Sequence, residues 1–406
     1  MLTTPIKLPC GVTLANRLVK AAITERISNS AFEPTADHER LYRLWSNSGA
    51  GLLITGNVII DRTHLESAGN VVFDDEDMLP ALQAWAQAAQ ASGNACWVQI
   101  SHAGRQTNRF STGKPKAPST VQLRKLGLFG RPVAMTQADI EQVIAGFVRA
   151  AKLAQDAGFG GVQIHAAHGY LLSQFLSPNT NFRDDKWGGS LENRSRLLLT
   201  IIKQMREVVG ANFPISVKLN SADFQRGGFS EEDSLEVVQM LDKAGIDLLE
   251  ISGGTYEKLA FFLMNDEEHQ LRESTRKREA YFIDFARKVR AVSKLPLMIT
   301  GGFRSRAFCE EVLANGEVDL IGMARPFITN ADDIAGFLSG EVSVLENRVV
   351  RTGLAALEDA AEGGFYARQL IRLAQGKAVN MKMNALWASN FLIIHELQKT
   401  ISNRMG

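Results

Sequence analysis

Apolar residues in this chain follow two alternating patterns. Short, nearly continuous apolar runs are separated by longer stretches in which apolar residues return every three or four positions. The short runs are Leu18–Ile23, Gly51–Thr55, Ala95–Ile100, Gly161–His165, Ile215–Leu219, Leu248–Ile251, Pro296–Thr300 and Val318–Gly322. A strand with no polar face is buried on both sides, so these runs predict a parallel sheet covered by helices. In the longer stretches Ile140, Val143, Ile144, Phe147 and Val148 form one helical stripe. Thr136-x-x-Asp139 and Ser230-x-x-Asp233 read as capping boxes. Ala157-Gly158 and Ala244-Gly245 stand where helix C-caps precede the next strand. Eight such units predict an α/β fold of the (β/α)₈, or TIM barrel, kind over residues 1–340.

Three further pieces flank that pattern. Residues 6–14 read as an N-terminal hairpin, with Ile6 and Leu8, a Pro9-Cys10-Gly11 turn, then Val12 and Leu14. Segments 102–135 and 253–282 are too irregular for plain connectors; each follows a strand and is expected to lie over the open end of the barrel. Residues 341–406 read as a helical extension packed on the barrel or on a partner subunit, clearest over Phe365–Ala374 and Ala385–Ile401.

Composition adds mainly exclusions. The 406 residues are 45% apolar and carry a net charge of +1, so no long-range field draws the chain to nucleic acid or anionic lipid. No apolar stretch approaches the roughly 20 residues of a membrane span. The start lacks a signal-peptide layout, and the three scattered cysteines suit a reducing compartment, so a cytoplasmic location is expected. With no C-x-x-C pair, a zinc ribbon or local iron–sulfur run is not expected.

The chemistry-bearing residues fall at strand ends, where barrel enzymes place their sites. His165, His168 and Tyr170 crowd the end of the fourth strand. Two imidazoles can hold a carbonyl or phenolate oxygen while a phenol gives a proton to a nearby carbon. Two histidines also invite a metal reading, but the further ligands zinc needs are missing nearby, and no metal is expected. Gln99, on the third strand, offers a donor and an acceptor to the imide edge of a flat heterocycle. Lys218, on the fifth, would suit an anion or an electron-rich carbonyl, or else pair with an acid such as Asp223. Gly301-Gly302 and Gly322-Met323-Ala324-Arg325 follow the last two strands, where backbone amides commonly hold a phosphate. The charged run from Asn181 to Arg194 reads as a loop tied by its own ion pairs, with Arg183, Asp184 and Arg194 shaping it.

Taken together, Asn16-Arg17-Leu18-Val19, Gln99-x-x-His102-x-Gly104-Arg105, His165-x-x-His168-Gly169-Tyr170-Leu171, Phe175-Leu176-Ser177-Pro178, Gly301-Gly302 and Ala324-Arg325-Pro326 resemble the Old Yellow Enzyme family of FMN-dependent ene-reductases. The resemblance covers about residues 1–335. It implies FMN across the barrel mouth and NADH or NADPH as electron donor. Gln99 would meet the pyrimidine edge. Ala22, Ile23 and Thr24 would line the ring, with the Thr24 hydroxyl near O4, and Gly56 would approach it from the second strand. Lys218 would sit by N1 and O2. Gly301, Gly302, Ala324 and Arg325 would hold the phosphate. His165 and His168 would bind the oxygen of an α,β-unsaturated carbonyl, and Tyr170 would protonate the carbon alpha to it. Lys218 replaces the arginine of many members, and relatives with an iron–sulfur cluster carry a cysteine run that is missing here. The rival readings are a flavin-free aldolase or isomerase acting on a phosphorylated substrate, with Lys218 as Schiff base or His165 as base, and a ligand sensor without turnover. Arg272, Arg276, Lys277 and Arg278 read as a solvated basic face rather than a 2′-phosphate site.

Overall fold

A computed structural model describes residues 1–124, 127–252, 282–346, 348, 350–353 and 355–405. Eight parallel strands close into a barrel: β1 Leu18–Lys20, β2 Leu52–Ile59, β3 Ala95–Ser101, β4 Gly161–Ala166, β5 Ile215–Asn220, β6 Leu248–Ser252, β7 Leu297–Thr300 and β8 Leu320–Met323. Each strand pairs with its neighbours in sequence, and β8 returns to β1. All eight predicted strands are present, with shifted ends. The largest shift is in β2, which continues four residues beyond Thr55. Its pairing with β3 jumps from Ile54–Trp97 to Asn57–Gln99, so Thr55 and Gly56 form a bulge. A glycine inside an apolar run marks such a place, and here it looked like the strand's end.

The helices lie outside: α1 Ala36–Ser46, α2 Leu79–Ala89, α3 Gln137–Asp156, α4 Leu191–Val209, α5 Glu231–Ala244 and α6 Arg306–Ala314, with a further helix over 282–292 between β6 and β7. Thr136 forms a full capping box with Asp139, while Ser230 accepts from the Asp233 N–H. Gly245 ends α5 in the left-handed conformation at φ 72°. The stripe on α3 is buried from Ile140 to Phe147, and Val148 is partly buried beside it.

The predicted hairpin exists as Ile6–Lys7 paired with Thr13–Leu14. Its Leu8 and Leu14 join Val19, Leu52, Ile54, Trp97, Leu248, Met298 and Leu320 in one apolar cluster, so the floor of the barrel is closed and dry. Above that floor the inward positions turn polar: Gln99, Gln163, Lys218 and Glu250 are all at most 4% exposed. Buried polar groups are tolerated only when they satisfy one another. That layer is the base of the site.

Segment 102–135 carries two two-residue strands, Lys116–Ala117 and Val133–Ala134. Most of segment 253–282, with Arg272, Arg276, Lys277 and Arg278, lies outside the described residues. The extension is two helices, α7 Ala355–Ala374 and α8 Ala385–Met405. They meet where a Cβ on Gly364 would come 1.9 Å from the Ala388 carbonyl oxygen, so only glycine allows this approach. Among the described residues no helix is long and apolar enough to cross a membrane.

Candidate active site

The end of β4 brings together the three side chains its sequence singles out. The His165 ring lies 5.1 Å from that of His168 and 4.8 Å from that of Tyr170, both nearly edge to face. The turn that does this is strained: His168 has φ 60° and Gly169 φ 76°. His165 Nδ1 accepts the Ala167 backbone N–H at 3.2 Å, so in the neutral ring the proton sits on Nε2. Nε2–H is thereby left as a donor. His168 Nε2 lies 2.7 Å from Ser252 Oγ, so one of its nitrogens is committed to β6. Burial, the facing His168 and the Lys218 charge hold His165 well below the ordinary imidazole range. Burial and Lys218 bring His168 down to about 3. At neutral pH both rings are uncharged and can donate one hydrogen bond each.

Lys218 does not pair with Asp223. Its Nζ sits 2.9 Å from Oε1 of Glu250, a fully buried carboxylate on β6, although off the axis of a hydrogen bond. Asp223 instead accepts from the Phe229 N–H at 3.1 Å and lies 3.3 Å from the Asn220 amide. Register explains the change, because Lys218 and Glu250 are direct neighbours across β5 and β6. Gln99 donates from Nε2 to Gln163 Oε1 at 2.6 Å, and Gln163 donates to Glu250 Oε2 at 2.8 Å and to Ser216 Oγ at 3.2 Å. Glu250 and Gln163 were missed in the sequence. A single acid inside Leu248-Leu249-Glu250-Ile251 is the signal that could have found them.

At the end of β1, Ala22, Ile23 and Thr24 are half-buried. The Thr24 hydroxyl donates to Glu66, 3.0 Å from Oε2, so its proton is already directed at a carboxylate. Gly56 makes room for the chain itself. A Cβ there would lie 2.2 Å from Glu25 Oε2 and 2.4 Å from the Ile23 carbonyl, and its N–H donates to Glu25 Oε1 at 2.8 Å. Glu25 also takes the hydroxyl of buried Tyr42, whose pKa burial and that carboxylate push well up. Gly56 thus fixes the 23–25 loop rather than facing open space.

After β7, Gly301 has φ 118° and nothing within 4 Å of a Cβ position, so open space adjoins a backbone only glycine adopts easily. Gly302 follows at φ 84°. Ala324 and Arg325 follow β8, the strand paired with β7. Arg325 is already partnered: its Nη1 lies 2.8 Å from Glu362 on α7, and its guanidinium stacks 5.1 Å from the Tyr366 ring. The extension also reaches the segments after β1 and β2, where Glu396 on α8 holds Arg26 at 2.8 Å and the Ala68 N–H at 2.8 Å. An FMN would find matching chemistry here: open space beside two left-handed glycines for the phosphate, an amide at the imide edge, and an ammonium for the carbonyl that gains charge on reduction.

The charged run is tied by its own ion pairs only in part: Arg183 is paired within it, Arg194 outside it, and Asp184 is exposed. Arg183 pairs with Asp185 and donates to the Met135 carbonyl at 2.7 Å, while Arg194 reaches Asp233 at 3.3 Å and the Leu176 carbonyl. A second histidine cluster lies in the segments that follow β2 and β3. His64 Nδ1 is 2.7 Å from Asp61, and His102 stacks on His64 at 4.5 Å. His64 Nε2 accepts the Lys116 N–H at 2.9 Å and His102 Nδ1 the Gly104 N–H at 3.0 Å. Those backbone donors leave the ring protons on the nitrogens facing Asp61. His64 is thus placed to donate to Asp61, while His102 Nε2 lies 3.9 Å from the same carboxylate.

Comparison with known proteins agrees with this geometry. The family model described as NADH:flavin oxidoreductase / NADH oxidase matches residues 1–335. An NADH-dependent flavin oxidoreductase of Neonectria sp. (strain DH2) is 38% identical over 348 residues, 80% of this chain but only 45% of that protein's length. One of the same description from Hypocrea jecorina (strain QM6a) is 37% identical over 349 residues, 80% of this chain and 86% of that one. Among solved structures, an Old Yellow Enzyme homologue from Zymomonas mobilis superposes with a TM-score of 0.71 at 25% identity, covering 85% of this chain and 94% of that one. The chain belongs to the NADH:flavin oxidoreductase / NADH oxidase family, the Old Yellow Enzyme group of FMN-binding, NAD(P)H-using oxidoreductases.

Proposed function

We propose that this chain reduces the C=C bond of α,β-unsaturated carbonyl compounds with electrons from NADH or NADPH. The observation that carries this reading is the neutral His165 ring, its Nε2–H unspent, held edge to face with His168 and Tyr170. FMN, when bound, supplies the two-electron relay between nicotinamide and alkene. Gln99 and Lys218 would hold its pyrimidine edge, Thr24 with Ala22 and Ile23 its rim, and Gly301, Gly302, Ala324 and Arg325 its phosphate. His165, with His168, would bind the substrate's carbonyl oxygen. As charge gathers on that oxygen the donors strengthen, which is how an oxyanion hole acts. Tyr170 would deliver its hydroxyl proton to the carbon alpha to the carbonyl.

One site over this trio would serve both nicotinamide and enone, so the two would alternate and kinetics would be ping-pong. The test is turnover of cyclohexenone with each nicotinamide, followed by both half-reactions in Tyr170→Phe. Alkene reduction should slow by 10²-fold or more, the usual worth of a positioned acid, while the nicotinamide half changes little. Equal slowing of both halves would reject the proton-donor role. For the flavin-free aldolase reading, Lys218 would have to leave Glu250 to reach a carbonyl. A colourless purified chain that borohydride traps through Lys218 would favour that reading instead.

A further inference from the structure

We infer that Glu250 sets both the polarity and the charge of the surface that faces the cofactor's pyrimidine edge, acting through Gln163 and Lys218 as a positioning residue. The inference rests on the reading that Gln99 and Lys218 meet that edge. A carboxylate can only accept. Gln163 must therefore turn its nitrogen toward Glu250 Oε2, at 2.8 Å, and its second N–H goes to Ser216 Oγ at 3.2 Å. With both donors spent, Gln163 Oε1 faces Gln99 and can only accept, which it does at 2.6 Å. Gln99 must then give one N–H to Gln163. Its carbonyl oxygen and remaining N–H have no recorded partner among the described residues. An imide needs that pair: an acceptor for its N–H beside a donor for its carbonyl. One anion thus fixes two amide orientations that nothing else in the layer would fix.

The same carboxylate controls charge. Lys218 and Glu250 are nearly or wholly removed from solvent, with side chains 5% and 0% exposed, and their charges oppose each other at 2.9 Å. Without Glu250, Lys218 would present an uncompensated cation at the edge that gains negative charge on reduction. In a site with little water to screen it, that field acts at nearly full strength. Here the sequence places an acid beside that cation, on the neighbouring strand at the same register.

Glu250→Gln in the holoenzyme tests this by two readouts that need no turnover: the midpoint potential of the bound flavin against redox dyes, and the rate of FMN release on dilution. The potential should move positive. Release should speed up by about tenfold or more, since a charged hydrogen bond is worth about 1.5–3 kcal/mol. Glu250→Asp, which keeps the acceptor and the charge, should stay near wild type in potential. A folded Glu250→Gln protein with unchanged potential and release would overturn the inference. If that variant does not fold, the charge-balanced pair Lys218→Met with Glu250→Gln carries the test. It should fold and release FMN faster than Lys218→Met alone, and equal release from the two would overturn the inference. Gln99→Ala and Lys218→Met check the underlying reading separately. If neither changes release or potential, the pyrimidine edge lies elsewhere. If both do and Glu250→Gln does not, only the role of Glu250 fails.

Discussion

Mild acid should loosen this protein well before its carboxylates are protonated. His38, His102 and His168 are all held near 3, chiefly by burial, with Lys399 adding to it for His38, the neighbouring His64 for His102 and Lys218 for His168. An unfolded histidine titrates near 6.5. The folded value lies below the unfolded one, so below about pH 6.5 the unfolded chain binds more protons, and stability falls as pH falls toward 3. Between pH 7 and 5.5 each such ring costs about 1.2 kcal/mol, and these three with His165, which is also held well below the ordinary range, cost about 5 kcal/mol together. A domain's whole stability is about 5–15 kcal/mol, so this is a large fraction. Asp61 adds nothing in this window: burial would raise its pKa, but the His64 hydrogen bond and charge outweigh that and hold it below the usual carboxylate range. Urea unfolding followed by tryptophan fluorescence at several pH values measures the slope. His38 lies on α1, outside the barrel, its ring tilted 60° against Trp85 at 5.2 Å, so His38→Gln should remove about 1.2 kcal/mol of the loss while leaving flavin binding alone. Stability that stays flat from pH 7 to 5.5, or a slope unchanged by His38→Gln, would refute the premise that these rings are buried and neutral.

Other outcomes follow from single contacts. Gly56→Ala should destabilise strongly and release FMN, because its methyl group would collide with Glu25 and the Ile23 carbonyl, whereas Gly301→Ala should cost only about 1–3 kcal/mol of backbone strain, since its methyl group meets open space; thermal melts of both compare the two. Gly364→Ala should force α7 and α8 apart and lower the melting temperature, and a variant that melts like the parent would mean the two helices do not touch there. Glu362→Gln should free Arg325 and tighten phosphate-dependent FMN binding; weaker binding would show that the ion pair holds Arg325 in place.

Much of this architecture is legible in the residues because local pattern and global fold agree. The eight apolar runs could not be amphipathic strands, and the Thr136 and Ser230 caps mark where helices begin. What escapes is contact across strands. Lys218 looks toward Asp223 in sequence, five residues away, but barrel closure sets it beside Glu250, 32 residues further on. The Thr24–Glu66 bond has the same character: Glu66 lies in a loop with no periodic signal, 42 residues from its partner. The extension announces its helices by period but not its targets, because Glu362 and Glu396 find Arg325 and Arg26 only once the chain has wrapped around the barrel. His165, His168 and Tyr170 were visible because one turn carries all three.

The most direct test of the account is the complex of the oxidised holoprotein with a phenol such as p-hydroxybenzaldehyde. A phenolate stacked on flavin with its oxygen against His165 and His168 gives a broad long-wavelength absorption band. The account predicts that band in the wild type and its loss, with weaker binding, in His165→Ala. A band of unchanged strength and affinity in His165→Ala would contradict it.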